Sequence, residues 1–279
     1  MTRSTATPVL TFWEQTARSW RHFGPPLRPS GPDVAQFEAL ARGEAARRGG
    51  ALSAVLCGVT PEIAGMAWPA GTSLTAVEQS VEMVREVWPG DREGFRRARQ
   101  GNWLALPAEP GSCDLVIGDG CFISVGFPGG HRDLALSLRR ALRPDGLLVM
   151  RCFLQPEDKE PADRVWEDVV AGRIGSFHAF KWRLAMALQS SAEAGIGLAE
   201  IWDAWSHGPV APEQLRDRTG WPAAAILTMD LYRGRAHRFH FATEPGLLDA
   251  LHGAFRLASR HVPPYELGER CPILAFRPA

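Results

Sequence analysis

The sequence predicts an α/β fold: a mostly parallel sheet with covered faces that ends in an antiparallel hairpin and carries a helical insertion. Three observations predict it. Five short strand-like runs alternate with helical or polar segments between Leu52 and Phe153, the pattern of a sheet buried on both sides. Over residues 155–235 the strand pattern gives way to helical periodicity, split by glycines and prolines. Two further strand-like runs, residues 256–262 and 271–276, then close the chain. Pro263-Pro264-Tyr265-Glu266-Leu267-Gly268 between them is short enough for a hairpin rather than a crossover.

The chain opens on an aromatic stripe. Phe12, Trp13, Ala17, Trp20 and Phe23 recur at spacings of three and four, which puts them on one face of a short helix. Such a stripe packs on a core, closes over a ligand mouth, or does both. Residues 33–48 read as a second amphipathic helix running into the first strand.

That strand, SAVLCGV, is too short for a helix and stops at Gly58. Thr60-Pro61-Glu62 then reads as a helix start, with Thr60 placed to cap and Pro61 in the first turn. Residues 74–77 form the second strand, and Glu78 follows Gly58 by about 20 residues, the spacing at which a carboxylate takes both hydroxyls of a ribose. The unit should hold an adenosine group. A dinucleotide site asks for three glycines, for the turn, for the close approach of pyrophosphate and for helix packing. Here Gly58 stands alone before Val59, Thr60 and Pro61, and Pro61 has no N–H to offer a phosphate. S-adenosylmethionine (SAM) has a ribose for Glu78 and no phosphate, so the loop suits SAM better than NAD.

Beyond Glu78, Ser80 is placed to cap a helix that includes Met83 and Val87 and stops at Trp88-Pro89-Gly90. Residues 95–100 are a weak third strand. Gly101-Asn102-Trp103 follows, then CDLVIG, a buried strand that ends in Asp119-Gly120, where strands of such a sheet face the ligand crevice. Residues 131–142 carry Leu134, Leu138 and Ala141 on one helical face, with Pro144-Asp145-Gly146 as the stop, and residues 147–153 are the fifth strand. In the insertion, residues 161–173, 177–188, 198–205, 212–219 and 222–232 read as helices. They bring Trp166, Trp182, Trp202, Trp205 and Trp221, which serve either as glue or as the wall of a pocket. Residues 245–255 read as the last helix.

At 279 residues the chain suffices for one large α/β domain or a domain with an insertion. Lys plus Arg and Asp plus Glu balance at 31 each, so charge points to neither nucleic acid nor membrane, and a small or neutral partner is favoured. None of the five cysteines forms a CxxC pair, and three fall in or beside apolar runs, as expected in a reducing cytoplasm. The start MTRSTATPVLTFW lacks the apolar core of a secretory signal, and no run approaches membrane-spanning length.

Taken together, LCGVTPEIA, LTAVEQSVEMV, GNWLALP, CDLVIGDG, LRRALRPDGLLV and the terminal hairpin resemble, in this order, the class I SAM-dependent methyltransferases, a Rossmann-like fold. The resemblance covers residues 51–153 and 245–276. It implies transfer of a methyl group from SAM to a small, apolar or aromatic acceptor. Glu78 would take the ribose hydroxyls, Asn102 the adenine amino edge, Trp103 the adenine ring and Asp119 the methionine ammonium. Gly58, Val59, Thr60, Gln79, Met83 and Gly120 would complete the cofactor set. Asn102 stands where the family usually has Asp, and Val55 to Cys57 hold no acidic residue where the family has one. A base, if the acceptor needs one, could be His131, with His178 and His207 as rivals; none is selected. The implied parts are an N-terminal helical cap (1–50), a SAM-binding core (51–154), a helical lid (155–235) and the remainder of the core (236–279). Three other readings stay open. A degenerate SAM-binding module would keep the pocket without catalysis, a nucleic-acid methyltransferase would use Arg96, Arg97 and Arg99, and an NAD-dependent dehydrogenase would share Glu78.

Overall fold

The computed structural model describes residues 11–279. Residues 1–10, which head the expected cap and the stretch read as lacking a secretory core, lie outside the described residues. The chain begins with α1 (Phe12–Ser19), a 3-10 turn (Trp20–His22) and α2 (Gly31–Arg48). α1 opens on a reciprocal cap between Thr11 and Glu14, and at the start of α2 the Asp33 carboxylate accepts both the Ser30 N–H and the Ser30 hydroxyl.

The sheet then forms strand by strand. β1 (Ser53–Cys57) leads through α3 (Pro61–Ala64) to β2 (Ser73–Glu78), and α4 (Val81–Glu86) leads to β3 (Arg96–Gln100). β4 (Cys113–Asp119), α5 (Gly129–Ala141) and β5 (Leu142–Arg151) follow. Two expectations need correction here. The helix after Gly58 is a single turn and the Thr60 side chain makes no capping bond, because Gly65, Pro69 and Gly71 break the helix while the crossover still has to travel back along the sheet. Pro144-Asp145-Gly146 does not stop α5, which ends at Ala141. It sits in a bulge where the register of β5 jumps from Cys113↔Leu142 to Leu115↔Leu147.

The insertion contributes α6 (Ala162–Val170), α7 (Phe177–Leu188), β6 (Ile196–Gly197), α8 (Leu198–Ser206), α9 (Pro212–Thr219) and α10 (Ala223–Leu227). The expected helix over 222–232 splits into α10 and a 3-10 turn (Asp230–Tyr232). β7 (Arg238–Phe239) returns to pair with β6, a two-stranded ribbon absent from the sequence reading. Then α11 (Glu244–Leu251), β8 (Phe255–His261) and β9 (Ile273–Pro278) complete the chain.

The seven-stranded sheet has the order β3-β2-β1-β4-β5-β9-β8. The first five strands are parallel, and β9 is antiparallel to both β5 and β8. Register explains the core. Leu56 lies beside Ala76 and Ile117, Ile117 beside Val149, and Val149 beside Ala275, one apolar row that packs under α2, α3 and α4. Val55, Val116, Leu148 and Phe276 make the matching row on the other face, covered by α5 and α11. A third cluster belongs to the insertion and takes in Phe12 from α1. Among the described residues no helix is long and apolar enough to cross a membrane.

Candidate cofactor site

Because β1, β2 and β4 run parallel, their carboxyl ends open on the same side. Their terminal residues meet there. At the end of β1, Gly58 takes φ +93°, a left-handed setting that glycine reaches without strain, and its N–H donates to Val77 O at 2.8 Å. A Cβ on Gly58 would sit 3.7 Å from Trp103 Cζ2 and 3.9 Å from Glu78 Oε2. The glycine therefore keeps a narrow approach open between indole and carboxylate.

Glu78 ends β2 and is 8 % exposed. Its Oε1 accepts the Ser80 N–H at 2.8 Å. Burial pushes its carboxyl above the usual range, against the pull of the Ser80 and Gln79 N–H groups. Trp103 donates its indole N–H to Val77 O at 2.7 Å, which locks the ring over the ends of β1 and β2. Asn102 is exposed, and its Oδ1 accepts from Leu104 N at 2.9 Å. At the end of β4, Gly120 takes φ +66°, and a Cβ there would fall 2.5 Å from Phe153 Cε2.

Asp119 is less free than the sequence suggested. Arg151, fully buried at the end of β5, holds it from both sides, Nε to Oδ1 at 2.7 Å and NH2 to Oδ2 at 3.0 Å. Burial pushes the Asp119 carboxyl up while Arg151 pulls it down. The same guanidinium donates to Pro26 O and to Tyr265 Oη, and Tyr265 donates on to Asp33 at the start of α2.

These residues line one cleft of about 690 Å³, within the usual size of a ligand site. Gly58, Val59, Thr60, Glu78, Gln79, Met83, Asn102, Trp103, Asp119 and Gly120 all lie on it. Its roof comes from elsewhere: Phe12, Trp13, Trp20 and Phe23 from the N-terminal stripe, and Trp182, Tyr232, His237 and Phe239 from the insertion and the segment after it. Among the described residues, Glu14, Glu78, Glu82 and Asp119 give the lining four carboxylates, and no lysine or arginine belongs to it.

None of the three histidines weighed from sequence reaches the cleft. His131 is buried between Phe122 and Phe127 with Nδ1 on Gly126 O, and burial lowers its pKa to about 4. His178 bonds His22 O and is likewise lowered to about 4 by burial. His207 sits exposed after α8, bonded to Asp203 O. His237 is the histidine on the wall. Sequence reading missed it because its place depends on the β6–β7 ribbon, two residues a side, which leaves no periodic signal. The tryptophans divide as well: Trp182 reaches the cleft, whereas Trp166, Trp205 and Trp221 pack with Phe177 and Phe180, and Trp202 bonds Asp230 outside it.

No family model matches the chain, and no curated protein matches it either. Solved structures do. The CcbJ methyltransferase of Streptomyces caelestis superposes with a TM-score of 0.53 at 17% identity, over 96% of this chain and 98% of that one. This chain has the class I methyltransferase fold. A Rhodobacter sphaeroides protein provisionally named a Zn-dependent alcohol dehydrogenase gives a TM-score of 0.57 at 13% identity, over 98% and 100% of the two chains. A Pyrococcus horikoshii protein gives 0.51 at 15%, over 93% and 98%. At these identities the likeness is one of fold. Among the described residues no group of three or more His, Cys, Asp or Glu could hold a metal ion, so the zinc in the second protein's name has no donor set here. The methyltransferase fold places the cleft where the parallel strands end, and the antiparallel β9 lies on the far side of β5 from it.

Proposed function

We propose that the protein binds SAM in the floor of the cleft and directs its methyl group to a small, apolar or aromatic acceptor held under the roof. The observation that carries this reading is the charge of the lining: among the described residues, four carboxylates with no lysine or arginine. A pyrophosphate would meet carboxylates there, with the nearby Arg151 already paired to Asp119. A ligand with a sulfonium and an ammonium would meet opposite charge, and the aromatic roof offers ring faces to a cation. The residues present fit the cofactor. Glu78 keeps Oε2 for the ribose hydroxyls, the Gly58 approach admits a slender chain, and the Asp119 oxygens retain lone pairs for an ammonium while Arg151 fixes their position.

When bound, SAM supplies a methyl group on a cationic sulfur. What the chain contributes is alignment and dryness. Glu78, Trp103 and Asp119 orient the donor from three strand ends. The rings from residues 12–23 and from Trp182, Tyr232 and Phe239 exclude water, so we read residues 1–50 as a cap and 155–235 as a lid. All five cysteines are free and buried, which suits a reducing cytoplasm.

The test is a thermal-shift and calorimetric comparison of SAM, S-adenosylhomocysteine (SAH), NADH and ATP. SAM and SAH should raise the melting temperature, with about 2.7 kcal/mol of added stability at a hundred times the dissociation constant. Binding of NADH without SAM or SAH would overturn the reading.

A further inference from the structure

Two buried carboxylates stand around one guanidinium beneath the cleft. Asp33 at the start of α2 and Arg151 at the end of β5 are both fully buried. The Asp119 side chain, on the cleft wall, is 5 % exposed. Arg151 holds both oxygens of Asp119, yet its NH1 stands only 3.9 Å from Asp33 Oδ2, beyond a hydrogen bond but within reach of an ion pair. A buried charge needs a partner. Left to themselves, the two carboxylates would compete for the same cation.

Tyr265 stands between the competitors. Its hydroxyl donates to Asp33 Oδ1 at 3.0 Å and accepts from Arg151 NH1 at 3.2 Å. Burial pushes the pKa of the phenol up, so it keeps the proton that it donates. Asp33 Oδ2 accepts the N–H and the hydroxyl of Ser30, both at 2.7 Å. With both oxygens supplied by neutral donors, Asp33 does not need the guanidinium. The other groups facing the cluster do not alter the charge count. Glu62, a third carboxylate felt by Asp119, pairs with Arg28. The thiols of Cys152 and Cys271 are pushed up by burial, and that of Cys121 by Cys57 and burial, so all three stay neutral.

We propose that Tyr265 is a positioning residue for the cofactor: by satisfying Asp33 it reserves Arg151 for Asp119, and so sets the carboxylate that receives the methionine ammonium. The inference rests on reading Asp119 as the partner of that ammonium. It adds a residue with no place among the described residues that line the cleft. Without the hydroxyl, Asp33 would draw Arg151 across and Asp119 would lose its bidentate hold. Burial would then favour the neutral form of Asp119, which offers an ammonium no charge.

Tyr265→Phe keeps the ring and removes the hydroxyl. Calorimetry should compare SAH with methylthioadenosine, which shares the adenosine and has no amino-acid part. SAH should bind the variant about tenfold more weakly, the loss of one hydrogen bond to a charged group, while the affinity for methylthioadenosine holds. Adding Asp33→Asn removes the competing charge and should restore SAH binding. Carbon-detected NMR of the aspartate carboxyls, assigned with Asp119→Asn, reads the sharing without ligand. The Asp119 titration should move to higher pH in Tyr265→Phe and return in the double variant. Unchanged SAH affinity, equal weakening of both ligands, or an Asp119 titration that stays in place would overturn the proposal. Should SAH fail to bind the native protein, the cofactor reading falls instead, and the ligand-free titration still decides how Arg151 is shared.

Discussion

Glu78 is the residue on which cofactor affinity should turn, and acidity should reveal it. Burial raises its pKa in the unliganded protein, so the neutral carboxyl persists to higher pH than in a free side chain. Ribose hydroxyls are held by the carboxylate form, and binding must therefore release a proton wherever the free protein is protonated. The sign follows: affinity for SAM falls as pH drops through the raised pKa and levels off above it. Glu78→Gln should flatten that dependence and weaken SAM by about 1.5 to 3 kcal/mol, the range for hydrogen bonds to a charged group. Calorimetry over a pH series checks both, and a pH-independent native affinity would show that Glu78 faces something other than the ribose. This residue was legible because its cue is local, a carboxylate at a fixed distance from a strand-ending glycine. Asp119 was legible as a strand end, but its bidentate partner was not.

At the scale of elements, Arg151 shows why. In LLVMRCF it looks like a charge stranded in a core strand, and only the adjacency of β4 and β5, with α2 and the loop before β9 closing above, supplies its partners. Such partners lie over 100 residues away in the chain for Pro26 and Tyr265, beyond any periodicity. Arg151→Leu should leave Asp119 without its counter-ion and cost about 3 to 5 kcal/mol, as when one member of a buried pair is removed. Urea unfolding measures it, and a loss under about 1 kcal/mol would mean that the cluster relaxes onto water instead. Elements with their own punctuation were read correctly from sequence. α7 opens where Ser176 Oγ accepts the Ala179 N–H, and α9 runs from Pro212 to the left-handed Gly220. α3 was overread, because Thr60-Pro61-Glu62 announces a start while the brake, Gly65 with Pro69, lies outside the motif. The β6–β7 ribbon had no announcement at all.

Across the whole molecule, the N-terminal segment and the insertion meet at Lys181. Its ammonium is fully buried, bonded to Thr228 O at 3.1 Å and Thr228 Oγ1 at 2.9 Å. The rings of Tyr232, Phe23 and Phe177 surround it at 4.5, 5.3 and 5.7 Å. Burial lowers its pKa to about 7, with Asp230 opposing. The unfolded chain holds this proton up to the ordinary lysine range, whereas the native chain releases it near neutrality. Native stability should therefore rise with pH from about 7 upward, by up to roughly 1.4 kcal/mol per pH unit for one proton. Lys181→Met should remove that rise, as seen by calorimetric melts from neutral to mildly alkaline buffer. An unchanged slope in the variant would place its source elsewhere.

The strand order has a consequence for how copies of the molecule meet. β3 is an outermost strand, whose outward N–H and C=O groups a passing chain could adopt as its own neighbour; the segment before it already takes part of that row, Arg92 bridging Arg96 and Asp91 Oδ1 accepting the Ala98 N–H at 2.9 Å. Its sequence is Arg-Arg-Ala-Arg-Gln, with Arg97 and Arg99 exposed, and β8 at the opposite rim exposes Arg256. A second copy approaching either rim meets an exposed arginine beside the part of the row that is left open. Of the arginines that suggested a nucleic-acid face, Arg97 and Arg99 thus stand as a guard rail on this border, while Arg96 turns in to the Pro89, Gly90 and Ala64 carbonyls.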